Sequence, residues 1–369
     1  MMKHLSYILC VSLLLVSCRK QEEVRYDDVP AGICFGIDEV LQTRTVLIND
    51  KFQLLSGDAE LGYGVYAARF MPSDANNTHE LFMSNVKVSS TDGKEWNYDM
   101  DPGQEGTQLC YWSPGAVHNF FAVYPYYDSG SDEYDLGLES VINEGVHALQ
   151  VTGKDASDIL TGTTVDGTSY TNICPDILYG IARYPIPYSV RESRDSVVFN
   201  FNHALAAVSF RLRNISEYTV TEVSESELTG FKNSAEYVRL SDRGAEWGAS
   251  SSDPSKRFSL PRIDADLEPG AYYEPDGSLF WYTALMIPQN FGADTQVNPQ
   301  MSFSATLSTG DPKEYTLNFK DYPVSAVAEY QYQYQAGYHY IYNLSITAAQ
   351  ITCDVEIVDW IDDDPIELN

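Results

Sequence analysis

The stretch YHYIYNLSIT, residues 338–347, carries the pattern that decides the fold. Its apolar residues occupy every second position: Tyr338, Tyr340, Tyr342, Leu344 and Ile346. Because successive side chains of a β-strand point to opposite faces of the sheet, this alternation is typical of a half-buried strand. Residues 351–357 repeat the pattern, with apolar side chains at alternate positions. The two stretches therefore predict consecutive β-strands near the end of the chain.

The same alternation predicts strands throughout the chain. Val197, Phe199 and Phe201 begin one strand. The segment 203–212 is predicted as a strand rather than a helix, because Val208 and Phe210 share one face. Further candidate strands are 33–37, 62–68, 117–125, 271–286 and 301–318, with turn-forming residues between them. No segment after the N-terminal leader has the pattern of a convincing amphipathic helix, so the sequence predicts an all-β fold.

The length of 369 residues suggests two domains. The best boundary follows the segment Tyr184-Pro185-Ile186-Pro187, where two prolines disfavour a continuing element and the charged stretch 191–195 comes next. We therefore predict two β-sandwich domains in tandem, residues 31–190 and 191–369. Each would be long enough to bury a hydrophobic core of its own.

The charge balance argues against one class of function. Acidic residues outnumber basic ones 53 to 23, which gives a formal net charge of −30 and an isoelectric point near 4.3. Such a field repels phosphate backbones, so we expect no nucleic-acid partner. Hydrophobic residues make up 44% of the chain, which argues against disorder over its whole length.

The N-terminus has the features of a lipoprotein signal. Lys3 precedes an apolar run, residues 6–16, that is too short to span a membrane. The run ends in the tetrapeptide LVSC, which matches the bacterial lipobox and makes Cys18 the predicted lipid attachment site. We predict a signal peptide at residues 1–17 and a lipidated flexible linker at residues 18–30. An ordinary secretory signal with a chance cysteine is the alternative.

Motifs that carry catalysis or bind metals are absent from the sequence. It contains no nucleophile elbow, no phosphate-binding loop, no HExxH and no CxxC. His203 lies between apolar strand positions, which favours a hydrogen-bonded core histidine over a general base. Cys34, Cys110, Cys174 and Cys353 allow three disulfide pairings, and buried free thiols are equally compatible with the sequence. We expect no enzyme, cofactor or metal, although 53 carboxylates leave a glycosidase pair open.

Several short fragments follow one another in a distinctive order. After Cys18 come Thr43-Arg44-Thr45, GYGVYAARF (62–70), YWSP (111–114), FFAVYP (120–125), DILY (176–179), the segment 199–210, MIPQ (286–289) and the segment 337–360. In this order they resemble the fimbrillin-like proteins of the Bacteroidetes, the superfamily of major and minor fimbrillins, or type V pilins. The charged stretch 19–23 resembles the surface-export signals of lipoproteins from the same phylum, and a solvated tether is its plainer reading.

The resemblance implies a fold and an assembly mechanism. The fold would be two transthyretin-like β-sandwiches. An arginine-specific protease would cut the lipoprotein precursor between Arg44 and Thr45 and remove the first strand. Another subunit's strand would then fill the groove that Ile33, Phe35 and Ile37 leave. A disulfide at Cys34 would tether the removed strand, so we expect that thiol to be unpaired.

The resemblance also implies a location and partners. We expect a lipid-anchored precursor at the cell outer membrane, a place in a surface fimbrium, and a role in cell adhesion. The partners would be other fimbrial subunits and a host or bacterial surface glycan or protein. Only nine residues follow Trp360, which favours an accessory, tip or anchor subunit over a shaft pilin. The alternative is a non-polymerising surface lipoprotein that binds carbohydrate. Aromatics such as Tyr126, Tyr127, Tyr272 and Tyr273 are candidates for stacking on sugars, as in adhesin sites, and core or interface positions are the equal alternative.

Overall fold

The prediction of an all-β fold is confirmed. A computed structural model of the chain describes residues 32–37, 62–73, 80–90, 96–98, 110–127, 134–138, 148–166, 169–184, 196–248, 250–251, 258–292 and 298–359. Regular structure in these ranges consists of β-strands and three single 3-10 turns, at Lys154–Ala156, Pro275–Gly277 and Phe319–Asp321. Over the same ranges, no helix has the length and apolar character needed to cross a membrane.

The strands before residue 190 are numbered in chain order. They are β1 (Phe35–Ile37), β2 (Tyr63–Phe70), β3 (Glu80–Ser89), β4 (Asn97–Tyr98), β5 (Val117–Tyr124), β6 (Tyr134–Leu138), β7 (Ala148–Gly153), β8 (Ile159–Leu160), β9 (Thr163–Asp166), β10 (Ser169–Asn172) and β11 (Leu178–Tyr184). The candidate strands at 33–37, 62–68 and 117–125 correspond to β1, β2 and β5.

The strands after residue 190 continue the numbering. They are β12 (Val197–Phe199), β13 (Phe201–His203), β14 (Ala206–Asn214), β15 (Val220–Thr229), β16 (Ser234–Ala235), β17 (Tyr237–Ser241), β18 (Gly244–Gly248), β19 (Phe258–Ser259), β20 (Tyr282–Met286), β21 (Gln289–Asn290), β22 (Gln300–Leu307), β23 (Pro312–Asn318), β24 (Gln333–Tyr334), β25 (Tyr338–Ile346) and β26 (Ile351–Asp359). The alternating stretches 338–347 and 351–357 form β25 and β26.

A six-stranded antiparallel sheet organises the first half of the molecule. This central sheet has the order β13-β11-β5-β2-β3-β4. Its strand β5 is buried at every position. Phe120 and Ala122 belong to one hydrophobic core, whereas Phe121 and Val123 belong to another. The central sheet is therefore covered on both faces, which explains why β5 lacks the polar alternation of a half-exposed strand.

A second sheet covers one face of the central sheet. This cover sheet has the order β18-β17-β7-β6. Val151 and Val238 pack with Phe121 and Tyr179 in what we call the middle core. The middle core also includes Ala207 and other residues beyond the central sheet, so it extends toward the C-terminal part of the molecule.

The other face of the central sheet is covered by β1 and β12. These strands form a two-stranded parallel sheet in which Phe35 is paired with Val197 and Ile37 with Phe199. The side chains of Phe35, Val197 and Phe199 pack with Phe120 and Tyr63 in what we call the seam core. The first described strand of the chain thus lies against a hydrophobic surface of the central sheet.

The C-terminal sandwich is built from two four-stranded sheets. The inner sheet has the order β20-β14-β25-β26, and the outer sheet has the order β19-β15-β22-β23. Phe210 and Tyr342 stack with ring centroids 5.6 Å apart, on the parallel pair β14 and β25. The hydroxyls of Tyr334 and Tyr342 form a fully buried 2.7 Å hydrogen bond in the same core. This arrangement is that of a β-sandwich, with aromatic rings filling the space between its sheets.

Strand pairing crosses residue 190 in several places. β13 pairs with β11, β16 pairs with β8, and β17 pairs with β7. Segments from the second half of the sequence therefore complete sheets that begin in the first half. The division into folding units at residues 31–190 and 191–369 stays a prediction. Because of the strand pairing, two such units would share sheets.

Candidate functional site

The first candidate site is the place where β1 lies. Ile33 and Phe35 are 1% and 4% exposed, and both belong to the seam core. The amide of Ile33 donates to the carbonyl of Cys110 at 2.8 Å, and the amide of Val197 donates to the carbonyl of Cys34 at 2.8 Å. Backbone pairing also holds the segment, since β1 pairs with β12 and single bridges join Gly32 to Tyr111 and Phe35 to Trp96. The segment is thus attached by side-chain burial and backbone pairing together.

Aromatic rings surround Phe35. Its ring centroid lies 5.3 Å from that of Tyr98, 6.1 Å from that of Phe120 and 6.0 Å from that of Phe199. The contacts with Tyr98 and Phe120 are edge-to-face, a geometry that aromatic pairs prefer. Removing the strand would uncover a pocket lined with aromatic rings. Refilling such a pocket with another apolar side chain is favourable because apolar area leaves water.

The thiol of Cys34 lies on the opposite side of β1 from these rings. It is exposed and is a free thiol. The neighbouring Tyr98 hydroxyl accepts a 3.1 Å hydrogen bond from the amide of Cys110, and burial raises the pKa of Tyr98 to about 12. No disulfide ties Cys34 to the rest of the described chain. Cleavage beyond β1 would leave this strand attached by noncovalent contacts alone.

Several residues predicted from the sequence lie outside the described ranges. They are the lipid attachment residue Cys18 and the processing residues Arg44 and Thr45. Ile33 and Phe35 lie on one short segment with buried side chains, and Phe35 and Ile37 belong to the strand that pairs with β12. Their role in a donor groove stays a prediction.

The second candidate site is a cavity that the sequence reasoning missed. It has a volume of about 490 Å³ and lies on the middle-core face of the central sheet. Its lining residues are Asn119, Phe121, Tyr179, Ile181, Asn200, Asn202, Ser241, Asp242 and Gly244. They come from β5, β11, the segment around β13, and the turn between β17 and β18. Ligand sites have volumes of this order and combine apolar walls with a few polar groups.

Asn119 is a buried polar residue in the wall of this cavity. It is 1% exposed, its side-chain nitrogen and oxygen have almost no accessible surface, and neither has a hydrogen-bond partner among the described residues. Buried polar side chains normally find such partners, so this one is an exception that needs a reason. The sequence gives no signal that this amide is isolated. Asn119 lies within the apolar run HNFFAVY (118–124), and only the tertiary packing encloses it.

The cavity wall opposite Asn119 is set by a tight turn. Gly244 has a φ of +113°, and a Cβ at that position would lie 3.9 Å from the hydroxyl of Tyr179. The hydroxyl of Ser241 accepts a hydrogen bond from the amide of Arg243 at 3.2 Å and donates one to the carbonyl of Gly244 at 3.3 Å. These bonds fix the turn above the ring of Tyr179, whose pKa is raised by burial.

His203 makes a structural contact in the core. His203 is 7% exposed, and its Nδ1 lies 2.9 Å from a carboxylate oxygen of Asp176. This contact joins β13 to the segment before β11, as expected for a hydrogen-bonded core histidine. Within the described ranges, no group of three or more His, Cys, Asp and Glu side chains is arranged to hold a metal ion.

Most of the aromatic residues proposed to bind sugars at the surface contact other side chains of the protein. Tyr127 is buried in the middle core, so of its two readings the core position is the one observed. Lys87 lies 5.3 Å from the ring centroid of Tyr126, and Arg213 lies 5.0 Å from that of Tyr272. Tyr273 packs against the C-terminal core. These four side chains therefore do not form one platform.

A family comparison explains the architecture. The model of the fimbrillin-like family matches residues 58–360, which is most of the chain. The chain belongs to the fimbrillin-like family. The resemblance drawn from the ordered sequence fragments is thereby confirmed, and the match spans both the central sheet and the C-terminal sandwich.

Solved structures resemble this fimbrillin-like chain over most of its length. A fimbrial protein from Bacteroides vulgatus is 14% identical with a TM-score of 0.51, and the match covers 89% of this chain and 99% of that one. A fimbrial assembly protein from Parabacteroides distasonis is 12% identical with a TM-score of 0.37, covering 89% and 98%. The tip fimbrial protein Mfa3 from Porphyromonas gingivalis is 12% identical with a TM-score of 0.33, covering 81% and 94%. No curated protein matches the chain.

Proposed function

We propose that the protein is a fimbrial subunit that is exported as a lipoprotein through Cys18 and assembled by donor-strand exchange. In this proposal, cleavage between Arg44 and Thr45 releases the segment that contains β1. A strand from another subunit then occupies the seam core. The single observation that carries the proposal is the burial of Ile33 and Phe35 against the central sheet, on a segment whose strand has only three residues.

In this proposal, strand exchange is driven by the strand edge and apolar surface that cleavage exposes. Within the described ranges, β1 is the strand that pairs with β12, so its loss exposes the backbone edge of β12. Exposed edges are templates for strand addition, and apolar pockets beside them give the added strand its specificity. The family membership supports a structural and adhesive role rather than an enzymatic one. We propose an accessory, tip or anchor position within the fimbrium.

The experiment treats the purified full chain with an arginine-specific protease, with an Arg44→Gln variant as the matched control. We expect a new N-terminus at Thr45 in the wild type only. The cleaved protein should then bind a synthetic peptide of residues 32–37, and a peptide carrying Phe35→Asp should fail to bind, because a carboxylate cannot enter the aromatic pocket without losing its hydration. Equal cleavage of both proteins elsewhere, or equal binding of both peptides, would contradict the proposal.

A further inference from the structure

The edge of the inner sheet at β26 lacks the features that normally block strand addition. Among the described strands, β26 is the last one in this sheet and pairs with β25 alone. Its nine residues, ITCDVEIVD, pair with β25 from Ile351 to Asp359 without a bulge. Sheet edges are commonly protected by lysine, proline, a bulge or short length, and β26 has none of these. Its outer side therefore offers a long and regular row of backbone groups.

The core-facing side of β26 becomes less covered along the strand. Ile351 is 8% exposed, whereas Ile357 is 38% exposed, and Cys353 and Val355 between them are half-buried against the C-terminal core. The sandwich is closed at the beginning of β26, where the hydroxyl of Tyr315 donates a 3.0 Å hydrogen bond to a carbonyl in the turn between β25 and β26. A strand laid along the edge would bury more of the apolar row, which is favourable because apolar area leaves water.

The other face of β26 carries carboxylates. Asp354 is exposed and has no ion pair among the described residues. Glu356 lies 3.4 Å from a guanidinium nitrogen of Arg211. If two β26 strands paired antiparallel about Val355, Asp354 would lie opposite Glu356 twice, and like charges directly opposite one another destabilise a sheet. The carboxylates therefore disfavour a second copy of β26 and favour a partner strand with basic side chains.

We propose that the edge of β26 accepts an extended strand of another polypeptide whose side chains alternate between apolar and basic. The apolar side chains pack beside Val355 and Ile357, and the basic ones lie across from Asp354 and Glu356. Strand addition of this kind takes its affinity from main-chain hydrogen bonds and its specificity from alternate side chains. The proposal goes beyond the exchange at the seam core and is independent of it, because binding at β26 requires no cleavage.

The test measures binding of three fluorescein-labelled nonapeptides to the uncleaved full chain, in which β1 still occupies the seam core, by fluorescence polarisation. The peptide TVKVKIKVT alternates apolar and basic residues, and TVEVEIEVT replaces its lysines by glutamates. The peptide VVKKITKVT has the composition of the first without its alternation. We expect TVKVKIKVT to bind saturably and at least about tenfold more tightly than either of the others. Absence of this preference, or absence of binding, would overturn the proposal.

Two variants with the same change in net charge locate the binding site. Ile357→Lys places a charge in the apolar row of β26. Val198→Lys is the matched control, because Val198 is 45% exposed on β12, outside the inner sheet. We expect Ile357→Lys to weaken binding of TVKVKIKVT by at least about tenfold and Val198→Lys to bind it like the wild type. Equal weakening in both variants would show that net charge alone acts, and the proposal would fail.

A third variant keeps the test decisive if Ile357→Lys does not fold. Asp354 is exposed, so Asp354→Lys should leave the sandwich intact. We expect this variant to bind TVKVKIKVT less tightly than the wild type and TVEVEIEVT more tightly, because the side chain facing the added strand is now basic. Saturating TVKVKIKVT should slow hydrogen exchange in β26 of the wild type and leave exchange in β15 unchanged. An unaltered peptide preference in folded Asp354→Lys, or no slowing in β26, would refute the assignment.

Discussion

His118 shows how burial sets the charge of a single residue. It is fully buried beside Trp112, with ring centroids 5.0 Å apart, and it accepts a 3.2 Å hydrogen bond from the amide of Ser113. Burial lowers its pKa from 6.5 to about 4, and the nearby charge of Arg69 adds to this effect. A backbone hydrogen bond to Ala116 acts in the opposite direction. The ring is therefore neutral at pH 7.

This pKa predicts how stability depends on pH. The unfolded chain takes up a proton at His118 near pH 6.5, whereas the folded chain does so only near pH 4. The stability that the neutral ring contributes is thus fully present above pH 6.5 and is lost as the pH falls from 6.5 to 4. Urea unfolding across this range should show a loss of the order of 2 kcal/mol in the wild type that is absent in His118→Gln.

The difference between the two proteins isolates the histidine from the carboxylates. Both proteins carry the same acidic residues, so their acid titration contributes equally to both curves. Parallel curves for the wild type and His118→Gln between pH 6.5 and 4 would contradict the prediction.

Residue-level prediction from the sequence succeeded where a repeating pattern carried the information. The alternation of Ile33, Phe35 and Ile37 indicated the apolar side of a strand before any partner was known. Asn119 gave no such signal, because its isolation depends on the turn between β17 and β18, which lies more than a hundred residues later in the chain. A local pattern cannot reveal an enclosure that distant segments create.

Among the elements, β1 is a short strand in a segment with strong side-chain burial. It has only three residues, and it pairs with the equally short β12. The buried side chains of Ile33 and Phe35 in the seam core therefore contribute much of its attachment. A short strand with buried side chains suits an element that is held in the precursor and replaced during assembly.

We expect Phe35→Ala to detach β1 without unfolding the central sheet. Truncating a buried phenylalanine costs about 3–5 kcal/mol, which is a large loss for so short a segment. Hydrogen exchange of the Val197 amide, which donates to Cys34, should become faster, while exchange within β5 stays slow. The matched control is Val198→Ala, because Val198 is 45% exposed on the neighbouring strand.

Val198→Ala should change the exchange of the Val197 amide little, since an exposed side chain contributes little burial. Equal acceleration in both variants would show that Phe35 does not hold the strand.

Element prediction succeeded for strands with an uninterrupted apolar pattern, whether the strand is half-exposed or fully buried. β25 and β26 alternate clearly along their apolar positions, and both were predicted. Other strands, such as β15 and β17, were missed. β15 is interrupted by irregular pairing with β22 between Val220 and Glu222 and between Ser224 and Glu227, which breaks the two-residue period. β17 is short and lies between Gly and Ser-rich segments, so its pattern was too brief to stand out.

At the scale of the whole molecule, the two halves of the sequence are interleaved. The cover sheet combines β6 and β7 with β17 and β18, and the central sheet takes its edge strand β13 from beyond residue 190. The middle core then connects Val151 with Ala207, which lies in the C-terminal inner sheet. Sheets that share strands cannot lose one half without exposing the other.

We therefore expect the chain to unfold in one cooperative transition. Differential scanning calorimetry should give a single peak whose calorimetric and van't Hoff enthalpies agree. Two separable folding units at residues 31–190 and 191–369 would instead give two peaks. Resolution of two peaks would support the division that the prolines and charges near residue 190 suggest.

The parallel pair β14 and β25 has a consequence for the order of events in synthesis. Phe210 is in register with Tyr342, so the strand that opens the C-terminal sandwich lies beside one made more than a hundred residues later. Closing so long a loop is slow and cannot begin before its far end exists. The nascent polypeptide must therefore reach nearly its full length before this sandwich closes, and a ribosome that stalls before residue 338 releases a chain whose largest core is still open to water.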